Sequence, residues 1–210
     1  MRLRKKPNLY KRMERCAHLL IADPAAFCGH WLREYRYKDI HIELGCGMGR
    51  FTTEIAKSEP DIFFVALEKT ADAMIVAVER AADMEIDNVR FMNAYADNLM
   101  DYFASDEVSR IYINFCDPWP SNRHIKRRLT NPLFLDIYKQ ILRPGGEIYL
   151  KTDNVPLFEY SNKELGRAGF TVKEAVYDLH KDGRGGIMTD YELKFHSRGV
   201  AICFARAVRE

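Results

Sequence analysis

The sequence of 210 residues has no long apolar run, no low-complexity stretch and no large excess of charge of one sign. A membrane-spanning helix needs about 20 consecutive apolar residues, and no run approaches that length. No stretch rich in Ser, Gly or Pro divides the chain, which predicts one domain over residues 1–210. Contents of 47% hydrophobic and 30% charged residues are typical of a soluble globular protein.

The sequence also lacks a secretory signal and a metal-binding pattern. The basic amino terminus is followed by no apolar segment with a small-residue cleavage site, so we expect a cytoplasmic protein without membrane contacts. No C-x-x-C pair and no histidine at metal-ligand spacing is found, which favours neither a disulfide framework nor a zinc site. The five cysteines are scattered along the chain: Cys16, Cys28, Cys46, Cys116 and Cys203.

Positive charge is clustered, although the net charge is only +2. Six Lys or Arg residues lie between Arg2 and Arg12 with no acid among them, within a basic N-terminal arm at about residues 1–14. Four more lie between Arg123 and Arg128, a segment that we call the basic run. Such clusters indicate a local anionic partner such as RNA, although a solvated surface would have the same composition.

Predicted strands and helices alternate along the chain. Apolar runs predict strands at 40–44, 62–67, 89–92, 111–115, 147–151, 172–177 and 200–205. Helical spacing predicts helices at 24–37, 50–58, 71–84, 132–142 and 156–168, with a helical turn at 98–103. This alternation predicts an α/β fold in which helices cover both faces of a mostly parallel sheet. The last two strands, joined by a long loop at 178–199, could form an antiparallel hairpin at the sheet edge.

A glycine-rich turn follows the first predicted strand. Residues 43–49 read E-L-G-C-G-M-G, at the junction where doubly wound sheets bind nucleotide-like ligands. Gly45, Gly47 and Gly49 have the spacing G-x-G-x-G, whereas a dinucleotide site requires G-x-G-x-x-G. Glu43 would repel a pyrophosphate but would suit a ligand that carries an ammonium and a sulfonium group.

Acidic and amide residues end the next two strands. Glu68 ends the second strand, where an acid accepts hydrogen bonds from the ribose hydroxyls of an adenosine ligand. Asn93, Ala94 and Tyr95 end the third strand and should border the adenine. Together with the glycine turn, these residues predict an S-adenosylmethionine site; the alternative is an ordinary turn with surface carboxylates.

The fourth predicted strand leads directly into the segment N-F-C-D-P-W-P-S-N-R-H-I-K-R-R-L at 114–129. Asp117 stands at the carboxyl end of this strand, and Pro118 and Pro120 stiffen the loop that follows. Trp119 offers a face on which a base could stack, and it could equally be a packing anchor. The basic run supplies charge for phosphates through Arg123, Lys126, Arg127 and Arg128.

D-P-W-P followed by R-H-x-K-R-R-L resembles the bacterial-type tRNA (guanine-N7)-methyltransferase family. Further agreement lies in L-K-T-D-N at 150–154 and I-M-T-D-Y-E-L-K-F at 187–195, so the resemblance covers nearly the whole chain. It implies a class I methyltransferase fold with a seven-stranded sheet, and N7 of a variable-loop guanosine in tRNA as the methyl acceptor. Glu43, Glu68, the position of Tyr95 and Asp117 would surround the cofactor, with Asp117 also catalytic. The implied substrate contacts are Ser121, Arg123, His124, Asp153, Thr189, Asp190, Tyr191 and Glu192.

Two departures from the family pattern stand out. Members often carry an acid at the position of Tyr95, and a lysine pair where this chain has Ser121 and Asn122. The first should change an adenine-side contact only, because backbone groups can supply much of the recognition there. The second removes positive charge beside the substrate.

Guanine N7 carries a lone pair and no proton, so it can attack a sulfonium methyl group without a base. Positive charge then develops on the purine, and a fixed carboxylate in a water-poor pocket would stabilise it. Asp117 is the candidate, with Asp153 and Glu192 as further acids around the base. A covalent cysteine mechanism would need Cys116 or Cys46 as the nucleophile, and neither has an evident acidifying partner in the sequence.

Two other functions are consistent with these residues. D-P-W-P could be related to the D-P-P-Y loop of amino-group methyltransferases, in which oxygen atoms accept from an exocyclic amine. The chain could also be a non-catalytic RNA-binding protein that retains the fold as a scaffold, although Glu43, Glu68 and Asp117 argue against this. No DNA, membrane or obligate protein partner is expected.

Overall fold

The structure, a computed structural model, describes residues 5–183 and 185–210 and, for Asp182, the backbone alone. Seven strands form one sheet in the order β3-β2-β1-β4-β5-β7-β6. They are β1 (Asp39–Leu44), β2 (Ile62–Leu67), β3 (Val89–Met92), β4 (Val108–Asn114), β5 (Leu142–Thr152), β6 (Phe170–Val176) and β7 (Cys203–Arg209). Strand β7 pairs antiparallel with β5 and β6, and the other four strand pairs are parallel, which confirms the predicted α/β architecture.

Eight α-helices are found in the described part of the chain. They are α1 (Leu9–Arg15), α2 (Trp31–Tyr35), α3 (Arg50–Ser58), α4 (Ala71–Asp83), α5 (Leu99–Tyr102), α6 (Pro132–Ile141), α7 (Val155–Arg167) and α8 (Asp190–His196). Apolar residues of α3 and α4 pack on one face of the sheet, and those of α5, α6 and α7 pack on the other. Each face of the sheet therefore has its own core, as the alternating pattern predicts.

The predicted strands 62–67 and 89–92 agree with the structure at both ends, as does the predicted helix 50–58. The closing hairpin is also confirmed, because β6 and β7 pair antiparallel. The structure adds that β7 lies between β5 and β6, so that β6 is the edge strand. Strand β5 begins at Leu142, five residues before the predicted start, because the segment R-P-G-G at 143–146 belongs to the strand. The pairing with β4 shifts register at this segment: Val108 pairs with Leu142, and Arg110 pairs with Glu147.

Two predicted segments need correction. The single helix at 24–37 is wrong: a 3₁₀ helix (Pro24–Phe27) is separated from α2 by Gly29, whose φ of 75° no right-handed helix tolerates. The long loop at 178–199 contains α8, which Thr189 and Glu192 begin with a reciprocal capping box. That pattern, T-x-x-E, was visible in the sequence and could have revealed the helix.

The N-terminal arm lies against α4 where it is described. The Arg12 guanidinium forms a paired ion bridge with Glu79 of α4, and the backbone amide of Lys6 donates to Asp72 Oδ1 at 2.5 Å. Arg2 and Arg4 lie outside the described residues. No helix in the described ranges is long and apolar enough to cross a membrane.

Candidate active site

A cavity of about 720 Å³ opens at the carboxyl ends of β1, β2, β3 and β4. Ligands of open α/β sheets bind at this edge, and the volume is ordinary for a small-molecule site. Its walls are formed by Leu44, Gly45, Leu67, Glu68, Lys69, Thr70, Ala94, Tyr95, Ala96, Asp97, Asn114, Phe115, Cys116, Asp117, Trp119, Lys126, Arg127, Leu129 and Phe134. The cavity thus joins the predicted cofactor side to the predicted chemical side.

The three predicted glycines have different roles in the turn after β1. Gly45 lines the cavity with φ of 83°, and a Cβ there would meet no protein atom within 4 Å. At Gly49 a Cβ would lie only 2.4 Å from the Cβ of Ala77, so Gly49 allows α3 to pack closely on α4. The amide of Gly47 donates to Glu68 Oε2 at 3.0 Å, which ties the turn to the end of β2.

Glu43 is buried, and both of its carboxylate oxygens are bonded within the protein. Oε1 accepts from Asn114 Nδ2 at 2.9 Å, and Oε2 accepts from the hydroxyl of Thr52 on α3. Burial raises the pKa of this carboxyl, while the two hydrogen bonds oppose the shift. Glu43 is not itself a residue of the cavity wall, but its side chain fixes Asn114, which does form the wall, and its predicted contact with the cofactor stays a prediction.

Glu68 lies on the cavity wall with 9% of the residue exposed. Its Oε1 accepts from the backbone amide of Thr70 at 2.9 Å, in addition to the bond from Gly47 to Oε2. A carboxylate has about four acceptor positions, so the two remaining ones can receive hydroxyl donors from a ligand. This geometry is compatible with the predicted ribose contact.

The residues after β3 divide between two roles. Ala94 and Tyr95, which are predicted to border the adenine, line the cavity, and Tyr95 is exposed. Asn93 is absent from the wall, and its Nδ2 donates instead to the backbone oxygen of Glu68 at 2.8 Å. Asp97, which sequence reasoning missed, joins the wall because a 3₁₀ helix (Ala96–Asn98) turns the chain back towards the cavity.

Asp117 follows β4 by three residues and also lines the cavity. Its side chain is 64% exposed, and its only polar contact among the described residues is Lys69 Nζ, 3.5 Å from Oδ2. The water-poor environment expected for this carboxylate is therefore not supplied by the protein alone. Lys69 was not among the predicted site residues; it follows β2 by two residues, so the ends of β2 and β4 bring it to Asp117.

The loop after Asp117 carries aromatic and basic side chains. The Trp119 ring lines the cavity and lies edge-on to His124, with the centroids 5.7 Å apart. The guanidinium carbon of Arg127 is 5.0 Å from the centre of the indole ring, and Lys126 also lines the cavity. Trp119 is thus both a packing partner and a wall residue.

Ser121 and Arg123 lie on the exposed surface beside this loop. Ser121 caps a 3₁₀ helix (Asn122–Arg127) by accepting from the amide of Arg123 at 3.4 Å. No hydrogen bond from the Arg123 side chain is found among the described residues. Neither residue lines the cavity, so a substrate that contacts them must extend beyond its mouth.

A second group of predicted substrate residues connects β5 with α8. The hydroxyl of Tyr191 donates to Asp153 Oδ2 at 3.0 Å, and its ring packs on Phe115 with the centroids 5.0 Å apart. Burial and the bond to Asp153 raise the pKa of Tyr191 to about 12. Asp190 pairs with Arg80 of α4 at 3.2 Å, and Thr189 caps α8.

Glu192 needs correction as a direct substrate contact, because its side chain is fully buried. Lys151 Nζ lies 3.1 and 3.2 Å from its two oxygens, and His180 Nε2 lies 2.8 Å from Oε1. The amide of Thr189 donates to Oε2 at 3.2 Å. Glu192 therefore holds the start of α8 against β5, and the exposed Tyr191 is the neighbour that remains accessible.

The cysteines beside the cavity are poor nucleophiles. Burial raises the pKa of Cys116 to about 12 and that of Cys46 well above its usual value, so both are thiols at neutral pH. This removes the support for a covalent cysteine mechanism. Within 5–183 and 185–210, no group of three or more His, Cys, Asp or Glu is arranged to hold a metal ion.

Comparison with known proteins identifies the family of this chain. The family described as "Putative methyltransferase" matches residues 37–205. A tRNA (guanine-N(7)-)-methyltransferase of Geobacillus thermodenitrificans (strain NG80-2) is 43% identical over 211 residues, covering 100% of this chain and 98% of the relative. One of the same name from Clostridium tetani (strain Massachusetts / E88) is 43% identical over 206 residues, covering 97% of each chain.

Solved structures show the same fold at low sequence identity. The crystal structure of the 16S rRNA methyltransferase KamB is similar with a TM-score of 0.67 and 18% identity. The match covers 85% of this chain and 92% of that one. At this identity the likeness supports the class I methyltransferase fold and nothing finer.

Proposed function

The chain belongs to the tRNA (guanine-N7-)-methyltransferase family, and from that premise we propose that it transfers a methyl group from S-adenosylmethionine to N7 of a variable-loop guanosine in tRNA. One observation carries the proposal beyond the family assignment: Glu68 and Asp117 line a single cavity. A ligand held at Glu68 can therefore reach the D-P-W-P loop. A cytoplasmic location is part of the same proposal, because tRNA is the substrate.

The residues of the cavity fit S-adenosylmethionine. Gly45 leaves backbone at the wall where any side chain would project into open space. Glu68 has acceptor positions left for ribose hydroxyls, and Ala94 and Tyr95 form the part of the wall that follows β3, where the adenine would lie. When bound, this cofactor supplies an electrophilic methyl group on a sulfonium sulfur.

Asp117 and its loop have the chemistry that the acceptor requires. The lone pair of guanine N7 attacks in line, so no side chain has to remove a proton from it. The Asp117 carboxylate can accept from the purine N–H groups and oppose the positive charge that develops on the ring. Because this carboxylate is mostly exposed in the protein, the bound base must itself exclude water from it.

The positive side chains near the cavity mouth suit an RNA acceptor. Lys126 and Arg127 line the cavity, and Arg123 is exposed beside it. Tyr191, whose ring packs on Phe115, forms with Asp153 a hydrogen-bonded pair that a nucleotide can contact. The proposed substrate contacts therefore come both from the loop after Asp117 and from α8.

An exocyclic amine as acceptor is less favoured by the D-P-W-P loop. In the alternative, backbone oxygens of this loop would accept from the amine. Here the Pro118 and Trp119 oxygens already accept from Arg128 at 3.0 and 3.1 Å, which leaves fewer acceptor positions for an amine.

Product identification tests the proposed function. The purified protein is incubated with unmodified tRNA and methyl-labelled S-adenosylmethionine, and the RNA is digested to nucleosides. We expect the label in 7-methylguanosine. Label in an N2-methylated guanosine would support the amine alternative, and cofactor binding with no transfer to RNA would support the non-catalytic alternative.

A further inference from the structure

The loop at 116–120, which contains Asp117, has almost no backbone support of its own. Pro118 and Pro120 lack an amide N–H, and among the described residues no hydrogen bond joins a backbone group of 116–120 to another backbone group. Two non-glycine residues near Asp117 adopt left-handed backbone angles: φ is 52° at Phe115 and 41° at Trp119. Such angles persist only where the surroundings enforce them.

The side chain of Arg128 contacts the loop at Pro118 and at Trp119, the second of these left-handed residues. Its Nε donates to the Pro118 oxygen at 3.0 Å and lies 3.3 Å from the Trp119 oxygen, to which Nη2 donates at 3.1 Å. Its guanidinium carbon is 4.4 Å from the centre of the Tyr160 ring on α7. A planar fork that is fixed on one side by an aromatic ring can hold two adjacent carbonyl groups at once.

We propose that Arg128 is a positioning residue for methyl transfer, which clamps the loop so that Asp117 faces the cavity. The proposal rests on the proposed function, since it takes Asp117 as the group beside the acceptor base. It also separates Arg128 from its neighbours in the basic run. Phosphate binding was predicted for all four cations, but Arg128 is half-buried and directs Nε and Nη2 at the protein, whereas Arg123 and Lys126 are exposed.

Two substitutions separate clamping from phosphate binding. Arg128→Lys keeps the charge but loses the fork, whereas Arg128→Gln also loses the charge. Arg143→Lys is the matched control, because Arg143 makes a forked contact with Asp39 at the opposite end of the sheet. Arg123→Gln provides the reference for losing a surface cation of the basic run.

Single-turnover rates at saturating tRNA and cofactor are measured first. Displacement of a reacting group by about 1 Å can cost on the order of 100-fold in rate. We expect Arg128→Lys to lower the rate by about 10- to 100-fold, and Arg143→Lys to stay within about threefold of the wild type. The salt dependence of tRNA affinity should be the same for Arg128→Gln and wild type, but flatter by about 0.7 to 0.9 units of log-log slope for Arg123→Gln.

The position of the loop has its own spectroscopic readout. Of the two tryptophans, Trp31 is fully buried, so any increase in acrylamide quenching of fluorescence reports on Trp119. Quenching should rise in Arg128→Lys and stay unchanged in Arg143→Lys. If Arg128→Lys fails to fold, Tyr160→Leu replaces it as the test, because it keeps Arg128 but removes the ring beneath it. This variant should also raise quenching and should lower the rate by a smaller factor.

The proposal is overturned if Arg128→Lys has the wild-type rate and quenching, or if Arg128→Gln flattens the salt dependence as Arg123→Gln does. Failure of the proposed function would look different. In that case the wild-type protein itself makes no 7-methylguanosine, while the quenching comparison still shows whether Arg128 holds the loop.

Discussion

Asp117 is the side chain on which the proposed chemistry depends most directly. Asp117→Asn keeps the size of the side chain but removes the charge that opposes the developing purine cation. Removing one well-aimed electrostatic group typically costs about 100- to 1,000-fold in rate, so we expect a loss of that order in single-turnover transfer at saturating tRNA. Cofactor affinity should change little. A rate within about threefold of wild type would make Asp117 structural and leave Asp153 as the next candidate.

His41 on β1 should make stability depend on pH. It is buried between the rings of Phe64 and Tyr112, and burial, with Arg110 and Arg143 as nearby cations, lowers its pKa to about 3 from 6.5. The Glu59 carboxylate, 3.5 Å from Nδ1, does not overcome these effects.

Because the folded pKa is below the unfolded one, the unfolded chain binds the extra proton between about pH 6.5 and 3. As the pH is lowered below 6.5, this group alone should therefore decrease the free energy of unfolding by up to about 1.4 kcal/mol per pH unit. Urea unfolding of wild type and His41→Leu at several pH values isolates the contribution. Parallel pH profiles for the two proteins would show that folding does not lower the pKa of His41.

At the residue scale, the sequence predicts which functional groups gather at the site better than it predicts their hydrogen-bond partners. Glu43, Glu68 and Asp117 end adjacent parallel strands, and strand ends meet at one edge, so their proximity was predictable. The bonds from Thr52 and Asn114 that occupy Glu43 depend on packing between α3 and β4. No local pattern carries that information.

Helix α8 is held in place by the buried carboxylate of Glu192. Glu192→Gln removes the charge that balances Lys151, and breaking one partner of a buried ion pair costs about 3–5 kcal/mol. We expect a loss of this order in the free energy of unfolding by urea. Glu147→Gln, at a more exposed pair with Arg110 on the same sheet, should cost less. If the two variants lose the same stability, Glu192 does not anchor α8.

The N-terminal arm contains cations with different roles. Arg12 is bound to Glu79, so it contributes to packing of α1 on α4, whereas Lys5 and Lys11 are exposed. If the arm binds RNA, replacing Lys5 and Lys11 with Gln should flatten the salt dependence of tRNA affinity by about 0.7 to 0.9 units of log-log slope per lost phosphate contact. Filter binding across a salt series measures this. An unchanged slope would remove these lysines from the RNA interface.

Strands and helices were predictable where the pattern of apolar residues is uninterrupted. Strand β2 and helix α3 agree with their predicted limits for this reason. The prediction of one helix at 24–37 was wrong because Phe27, Trp31 and Tyr35 recur at helical spacing, but their rings stack across a break in the helix at Gly29. Helix α8 has seven residues, too few for periodicity to identify.

At the scale of the whole molecule, strand alternation predicts the parallel sheet but not every neighbour. The insertion of β7 between β5 and β6 depends on long-range pairing, such as Leu150 with Ala205. The result matters for the site, because β7 supports β5 on the side away from β4. Lys151 and Asp153 are thereby fixed beside the loop that carries Asp117.

The identity of the acceptor atom is the central claim for the molecule. A tRNA whose variable-loop guanosine is replaced by 7-deazaguanosine lacks the N7 lone pair but keeps O6, N1 and the exocyclic amine. The decisive measurement is single-turnover methyl transfer to this tRNA and to its unmodified counterpart, with affinity for both measured in parallel. We expect the two tRNAs to bind equally and transfer to the deaza nucleotide to be abolished. Transfer to that nucleotide at an undiminished rate would contradict N7 as the acceptor.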